Sequence, residues 1–98
     1  PDVDREAAIL RARLPGIDIA LAQQVAALVA AVRKEDLAKL PGVAETLVWA
    51  AALMGLGVSR HDTDREAVFD TLSCIVKTRA DRGRLPREVL DRLIGRVA

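Results

Sequence analysis

The chain has 98 residues, which is enough for one small domain with a modest core and too few for two domains. Hydrophobic residues make up 51% and charged residues 30%, a balance typical of neither a disordered chain nor a membrane-embedded one. The net charge is +1 and Trp49 and Phe69 are the only aromatic residues, so the sequence has neither the basic surface nor the stacking platforms that nucleic acids require.

Two features of the sequence, its single cysteine and its lack of a long apolar segment, help to predict where in the cell the protein resides. The one cysteine, Cys74, cannot form an internal disulfide, and no signal-peptide pattern or membrane-spanning stretch is evident. These features predict a cytoplasmic protein without membrane contact. Cys74 stands among apolar neighbours, so we interpret it as a packed residue rather than a reactive thiol.

Two amphipathic helices are predicted in the first third of the chain, near residues 3–14 and 18–33. In the first, apolar residues recur at helical spacing (Val3, Ala7, Leu10 and Leu14), and Asp2 or Asp4 can cap the free amides. In the second, apolar residues fall at i, i+4, i+7, i+8 and i+11 (Leu21, Val25, Leu28, Val29 and Val32). A Pro-Gly pair separates the two helices.

The stretch LPGVAETLVWAAALMGLG, residues 40–57, predicts a third helix near 43–56. Its apolar residues lie on both sides, a pattern typical of a central helix. One side has Leu47, Ala50, Ala51 and Met54, and the other has Trp49, Leu53 and Leu56. Glu45 and Thr46 nevertheless stand in its first turn. The sequence therefore raises the question of what an acid and a hydroxyl do at the start of an apolar helix.

Two further helices are predicted near residues 64–81 and 86–97. Thr63 and Glu66 have the spacing of a reciprocal cap at the start of the fourth helix, and Pro86 suits the first turn of the fifth. No strand-like alternation or hairpin turn competes with these patterns. The sequence predicts a single all-α domain, a compact bundle of about five helices.

The residue patterns that usually accompany catalysis are missing from the sequence. His61 is the only histidine and has no second histidine or cysteine at ligand spacing, so it predicts no metal site. No serine stands in a nucleophile elbow, and no glycine-rich phosphate loop follows a strand. We therefore predict no catalytic residue in this chain.

The C-terminal third is rich in basic residues (Lys77, Arg79, Arg82, Arg84, Arg87, Arg92 and Arg96). Acids at Asp81, Glu88 and Asp91 are interspersed with them, which favours a solvated surface of ion pairs. The alternative is a binding surface for an anionic partner.

Three segments, taken in order, resemble a known family. They are PDVDREAAIL at residues 1–10, LPGID at residues 14–18 and PGVAETLVWA at residues 41–50. In this order and spacing they look like the C-terminal lid of a MoxR-type AAA+ ATPase. They are most similar to the branch associated with maturation of molybdenum-containing carbon monoxide dehydrogenase. The resemblance extends over nearly the whole chain, to about Asp81.

The resemblance implies that this chain is a fragment of a protein roughly two to three times longer. An upstream α/β domain would carry the phosphate loop and hold ATP and Mg, and the present fragment alone would bind neither. The start at Pro1, without a methionine, is what such a fragment would show. The resemblance further implies an ATP-driven chaperone or remodelling factor, a hexameric ring, a von Willebrand factor A-type partner and a metalloenzyme substrate.

The resemblance also assigns a role to the start of the third helix. In AAA+ proteins the equivalent helix presents a small residue and an arginine, called sensor 2, toward the nucleotide. Aligned on Leu47, that arginine position falls at Ala44, so Gly42, Ala44, Glu45 and Thr46 become the candidate nucleotide-contacting residues without the arginine. Glu45 either pairs with a basic group of the ATPase domain or of a neighbouring subunit, or stabilises the first helical turn without a partner.

A second class of function is also open, a free-standing helical module that binds a partner helix in an apolar groove. The surface at residues 40–46 separates the two, because a lid needs an exposed docking face there and a self-sufficient module does not. A helix-turn-helix DNA-binding protein is disfavoured, since the third helix, with Trp49, Leu53 and Met54, is neither basic nor polar.

Overall fold

Helices form the regular secondary structure of this chain in a computed structural model that describes residues 2–59, 64–76 and 78–97. Those ranges contain six α-helices and no strand: α1 (Val3–Arg13), α2 (Ile19–Val32), α3 (Val43–Gly55), α4 (Arg65–Asp70), α5 (Arg79–Gly83) and α6 (Arg87–Val97). A short 3-10 turn, Leu72–Cys74, lies between α4 and α5. The predicted all-α fold is confirmed, and the Cα radius of gyration, 12.1 Å, is that of a compact domain of this length.

Aspartates begin the first two helices. Asp2 Oδ1 accepts a hydrogen bond from the Asp4 amide at 2.8 Å, and Asp18 Oδ1 accepts one from the Ala20 amide at 2.8 Å. These bonds satisfy amides that have no partner within their own helix. Between the helices Gly16 has a φ of +91°, a left-handed conformation that glycine adopts without strain, and the chain reverses there.

The central element is α2, which packs against α1, α3 and α6. All five apolar residues that the sequence placed on its buried face are fully buried (Leu21, Val25, Leu28, Val29 and Val32). The sequence indicated α3 as the central helix, and this was wrong. One side of α3 packs against its neighbours, while Ala51 and Leu56, both assigned to buried sides, are exposed.

The segment predicted as one helix near residues 64–81 is divided into α4, the 3-10 turn and α5. α4 ends where the Thr71 hydroxyl donates to the carbonyl four residues earlier at 2.7 Å and accepts from Trp49 Nε1 at 2.7 Å. A new helix starts at Thr78, whose hydroxyl accepts from the Asp81 amide at 3.0 Å. The prediction failed because Trp49 comes from a distant part of the sequence, and local periodicity does not reveal such a contact.

The predicted cap of the fourth helix is only partly described. Thr63 lies outside the described residues, and Asp64 Oδ1 accepts a hydrogen bond from the Ala67 amide at 3.0 Å. Glu66, the other member of the predicted cap, instead forms hydrogen bonds with Arg87 of α6. An aspartate therefore caps α4, and Glu66 joins α4 to α6.

Candidate functional site

The four residues that the resemblance assigned to a nucleotide lie at the start of α3. Gly42 precedes the first turn, and Glu45 Oε1 accepts a hydrogen bond from the Gly42 amide at 2.8 Å. A Cβ at residue 42 would lie 3.3 Å from that oxygen, so a larger residue there would have to displace the carboxylate by a few tenths of an ångström. The Glu45 carboxylate thus closes the end of its own helix, as the third residue of a capped helix commonly does.

Thr46 points inward, unlike the other three candidate residues. It is fully buried, and its hydroxyl donates a hydrogen bond to the Gly42 carbonyl at 3.0 Å. Its oxygen also lies 3.5 Å from Arg33 Nη2. Ala44 and Gly42 are exposed, and Glu45 is half-buried. Three of the four predicted residues therefore reach the surface, while Thr46 belongs to the core.

An ion pair next to Thr46 joins three helices. Arg33 Nη1 and Nη2 donate to the two carboxylate oxygens of Glu6 at 2.7 and 2.8 Å, and Arg33 Nε donates to the Pro41 carbonyl at 2.8 Å. Glu6 is fully buried, whereas the Arg33 side chain keeps 15% of its surface exposed. Because Glu6 belongs to α1, Arg33 follows α2 and Pro41 precedes α3, one guanidinium positions the start of α3 on the bundle.

The environment of Glu6 keeps its carboxyl ionised. Burial by itself would raise the pKa of this carboxyl, because a charge is poorly solvated inside a protein. The hydrogen bonds and positive charge of Arg33, together with a contribution from Thr46, outweigh burial and place the pKa of Glu6 below the ordinary glutamate value. At neutral pH both members of the pair are therefore charged.

A second buried carboxylate, Asp81, holds the loop between α2 and α3. Its oxygens accept hydrogen bonds from the Ala38 amide at 2.8 Å, the Lys39 amide at 3.0 Å and Arg84 Nη1 at 2.9 Å. The bond from Ala38 contributes most to a lowered pKa of Asp81, which burial opposes. The sequence analysis placed Asp81 on a solvated surface, and this was wrong, because its main partners are backbone amides far away in the sequence.

Other charged residues of the C-terminal third form ion pairs near the surface, as the sequence predicted. Arg87 pairs with Glu66 and lies over the Phe69 ring, with its guanidinium carbon 4.5 Å from the ring centroid. Arg65 Nη1 lies 3.3 Å from Asp91 Oδ1. These pairs are partly exposed and screened by water, so they contribute little to stability and form no enclosed site.

The outward side of α3 is apolar and exposed. Ala44, Val48 and Ala51 recur at helical spacing on α3, and Leu40 lies three residues before the helix begins. The exposed fractions of Leu40, Val48 and Leu56 are 55%, 58% and 61%. We call Leu40, Ala44, Val48 and Ala51 the outer α3 face. Glu45 is the only charged residue between positions 40 and 57, so this face is a candidate interaction surface.

The start of α3 does not by itself suit the phosphates of a nucleotide. Gly42 has no side chain to accept hydrogen bonds from the first-turn amides, and amides of this kind can bind an anion. Glu45, however, places a negative charge beside them, and the sensor-2 position is Ala44. The guanidinium of Arg33 is already bound to Glu6. A triphosphate would be repelled here unless a cation from elsewhere lay between it and Glu45.

Metal chemistry finds no support among the described residues. They contain no group of three or more His, Cys, Asp or Glu side chains that could hold a metal ion. His61 and Lys77 lie outside the described residues. Over the same ranges, every helix is too short or too polar to cross a bilayer.

The Glu6–Arg33 pair was not predicted, although the sequence carries one signal of it. Glu6 stands three residues after Val3 and four before Leu10, so it shares the face that α1 buries. A carboxylate in such a place needs a cationic partner. The partner could not be identified from the sequence, because Arg33 is one of many arginines and lies at the end of another helix.

No family model, curated protein or solved structure matches this chain. The resemblance to the MoxR-type lid therefore rests on the three segments quoted above. The all-α fold rests on the structure itself.

Proposed function

We propose that this chain is the C-terminal lid of a MoxR-type AAA+ ATPase and that the outer α3 face docks on the ATPase domain of the same protein. The observation that supports this proposal is the exposure of Leu40, just before α3, and of Val48, in its second turn. The lid hypothesis requires an exposed docking face at residues 40–46, and Leu40 and Ala44 are the exposed apolar side chains in that stretch. Burying these side chains would stabilise a docked lid, since each contributes roughly 25 cal/mol per Å² of apolar area removed from water.

The internal contacts suit a lid that moves as one body. Arg33 ties the start of α3 to α1, and Asp81 ties the loop before α3 to α5. A displacement of the outer α3 face would therefore carry the bundle with it rather than bend α3 alone. Such a rigid response is what nucleotide-driven motion between two domains requires.

The proposed parent protein couples ATP hydrolysis to the remodelling of another protein, in particular a metalloenzyme during maturation. Its ATPase domain holds ATP and Mg, and six copies form a ring with a von Willebrand factor A-type partner in the cytoplasm. Within this arrangement Glu45 faces a basic group of the ATPase domain or of the neighbouring subunit. These features are what the resemblance implies. Among them, the outer α3 face would supply the contact between this domain and the ATPase domain.

The first test of the proposal is the intact mass of the native gene product. We expect a mass roughly two to three times the 10.6 kDa of this chain, together with hydrolysis of Mg-ATP by the isolated protein. A native mass close to 10.6 kDa overturns the proposal. The function that then remains is the free-standing module that binds a partner helix.

A pair of variants in the full-length protein tests the docking face. Val48→Glu introduces a charge on the outer α3 face and should lower ATP turnover several-fold. Ile19→Glu is the matched control, because Ile19 is 69% exposed but belongs to α2. Both variants should leave the unfolding free energy of this domain within about 0.5 kcal/mol of the wild type. Equal turnover by the two variants contradicts docking through the outer α3 face.

A further inference from the structure

A groove separate from the outer α3 face runs between the start of α1, the second half of α2 and the end of α6. It encloses about 290 Å³ and is open to solvent along the surface. Its apolar lining consists of small or medium side chains (Val3, Ala27, Ala30, Ala31 and Val97). The three alanines stand at i, i+3 and i+4 on α2, so one side of this helix is too small to fill the space beside α1 and α6.

The rim of the groove is positively charged. Lys34 and Arg96 line it, both are exposed, and neither forms an ion pair with another described residue. Glu35 is the one acid in the lining, and its Oε1 lies 3.9 Å from Arg92 Nη2. Lys34 and Arg96 thus lie beside the apolar floor as cations with no ion pair among the described residues, while the carboxylate of Glu35 pairs with Arg92. A ligand complementary to this rim carries negative charge next to an apolar group.

We propose that this groove binds an acidic amphipathic helix of a partner protein, with one large apolar side chain on the floor and carboxylates toward Lys34 and Arg96. The volume falls just below the usual range for small-molecule pockets and leaves room for an anchoring side chain. An open groove would leave a small ligand half in water, whereas a helix covers the open side with its own backbone. The inference is independent of the proposed ATPase function, because it uses none of the residues of the outer α3 face.

Selection of a helical peptide library on the purified native gene product tests the proposal. We expect enriched peptides to carry a leucine or phenylalanine with aspartate or glutamate three or four residues away. The double variant Lys34→Glu/Arg96→Glu should bind the best such peptide about tenfold or more weakly, measured by fluorescence anisotropy. The same variant should bind a version of the peptide in which lysines replace the acids, and the wild type should not.

Two control variants make the test specific. Arg11→Glu/Arg13→Glu changes the net charge by the same amount on exposed positions of α1 outside the groove, and it should keep the affinity within about twofold. Ala30→Leu should fill the groove and abolish binding of both peptides, with an unchanged circular dichroism spectrum. The proposal is overturned if no acidic peptide is enriched, if Arg11→Glu/Arg13→Glu weakens binding as much as the groove variant does, or if Val48→Glu abolishes binding while the groove variants do not.

Discussion

The two sides of α3 are both apolar, but only the inner side is covered by the rest of the chain. The inner side presents Trp49, Ala50 and Leu53, all of which are fully buried. The outer side presents Val48 and Ala51, which are exposed, although Val48 is as apolar as its buried neighbours. Hydrophobic composition therefore does not determine which side of a helix packs. The side that packs is determined by the neighbouring helices and by the hydrogen bonds and ion pairs formed with them.

Hydrogen bonds and a buried charge pair anchor the inner side. Trp49 Nε1 donates to the Thr71 hydroxyl at 2.7 Å, and Thr46 donates to the Gly42 carbonyl at 3.0 Å. Arg33 holds the loop that leads into α3. Because buried polar groups must find partners, these contacts permit one orientation of α3 and leave its other side toward solvent.

The largest effect should come from the neighbouring pair Trp49 and Val48. Trp49→Ala should lower the unfolding free energy by about 3–5 kcal/mol and unfold much of a domain this small, whereas Val48→Ala should change it by less than about 0.5 kcal/mol. Urea titrations followed by circular dichroism measure both. Trp49→Phe keeps an aromatic ring in the core, so its loss of unfolding free energy should lie between the losses of the two alanine variants. Some loss is expected because the Thr71 hydroxyl no longer receives the hydrogen bond that Trp49 Nε1 donates. Equal losses for the two alanine variants would contradict the assignment of inner and outer sides.

The next largest effect concerns the ion pair that positions α3. Arg33→Met should cost about 3 kcal/mol, because the Glu6 carboxylate would stay buried without a partner. The double variant Glu6→Leu/Arg33→Met should cost less than the single one, since it removes both charges and fills the space. Urea titrations of the single and double variants measure the free energy by which Glu6 and Arg33 are coupled. A double variant less stable than Arg33→Met would show that apolar side chains cannot replace the stabilisation that the Glu6–Arg33 pair provides.

The pH dependence of stability should reveal the same pair. The pKa of Glu6 is lower in the folded protein than in the unfolded chain. The stabilisation it provides is thus fully present above the unfolded pKa of about 4.3 and is lost as the pH falls through the folded pKa. Glu6→Gln should be less stable than the wild type at pH 7, and the difference should shrink below about pH 4.

The exposed glutamate of α6, Glu88, supplies the control for that titration. Glu88→Gln removes one carboxylate from an exposed position, so its loss of unfolding free energy at pH 7 should be smaller than that of Glu6→Gln. Urea midpoints at pH 7, 5, 4 and 3 are enough to compare the variants. A gap between Glu6→Gln and the wild type that stays constant down to pH 3 would contradict the role assigned to Glu6.

The smallest effect on stability is expected at Glu45, where the inner and outer sides meet. Glu45→Gln keeps an oxygen that can accept from the Gly42 amide, so the unfolding free energy should fall by less than about 1 kcal/mol. In the proposed full-length ATPase the same change should alter ATP turnover, because it removes the charge offered to the other domain. Unaltered turnover in that protein would leave helix capping as the only role of Glu45.

The sequence predicted the helices whose signals are local. The apolar spacing of α2 lies within one helix and the aspartate cap of α1 lies beside its helix, and the structure confirms both. The site was predicted less well. Glu45 was placed correctly in the first turn of α3, yet Thr46 proved to be buried, and neither Arg33 nor Asp81 was identified as a residue that positions α3.

By itself, therefore, the sequence determined an all-α domain, the bounds of its long helices and the apolar character of α3, because these follow from periodicity and capping along the chain. Tertiary structure alone decided that α2 rather than α3 is central, that the segment after Asp70 breaks into short pieces, and that Glu6 and Asp81 are buried. Each of these depends on a contact between residues far apart in the sequence. Such contacts are selected by packing and by the pairing of buried polar groups, and no local pattern encodes them.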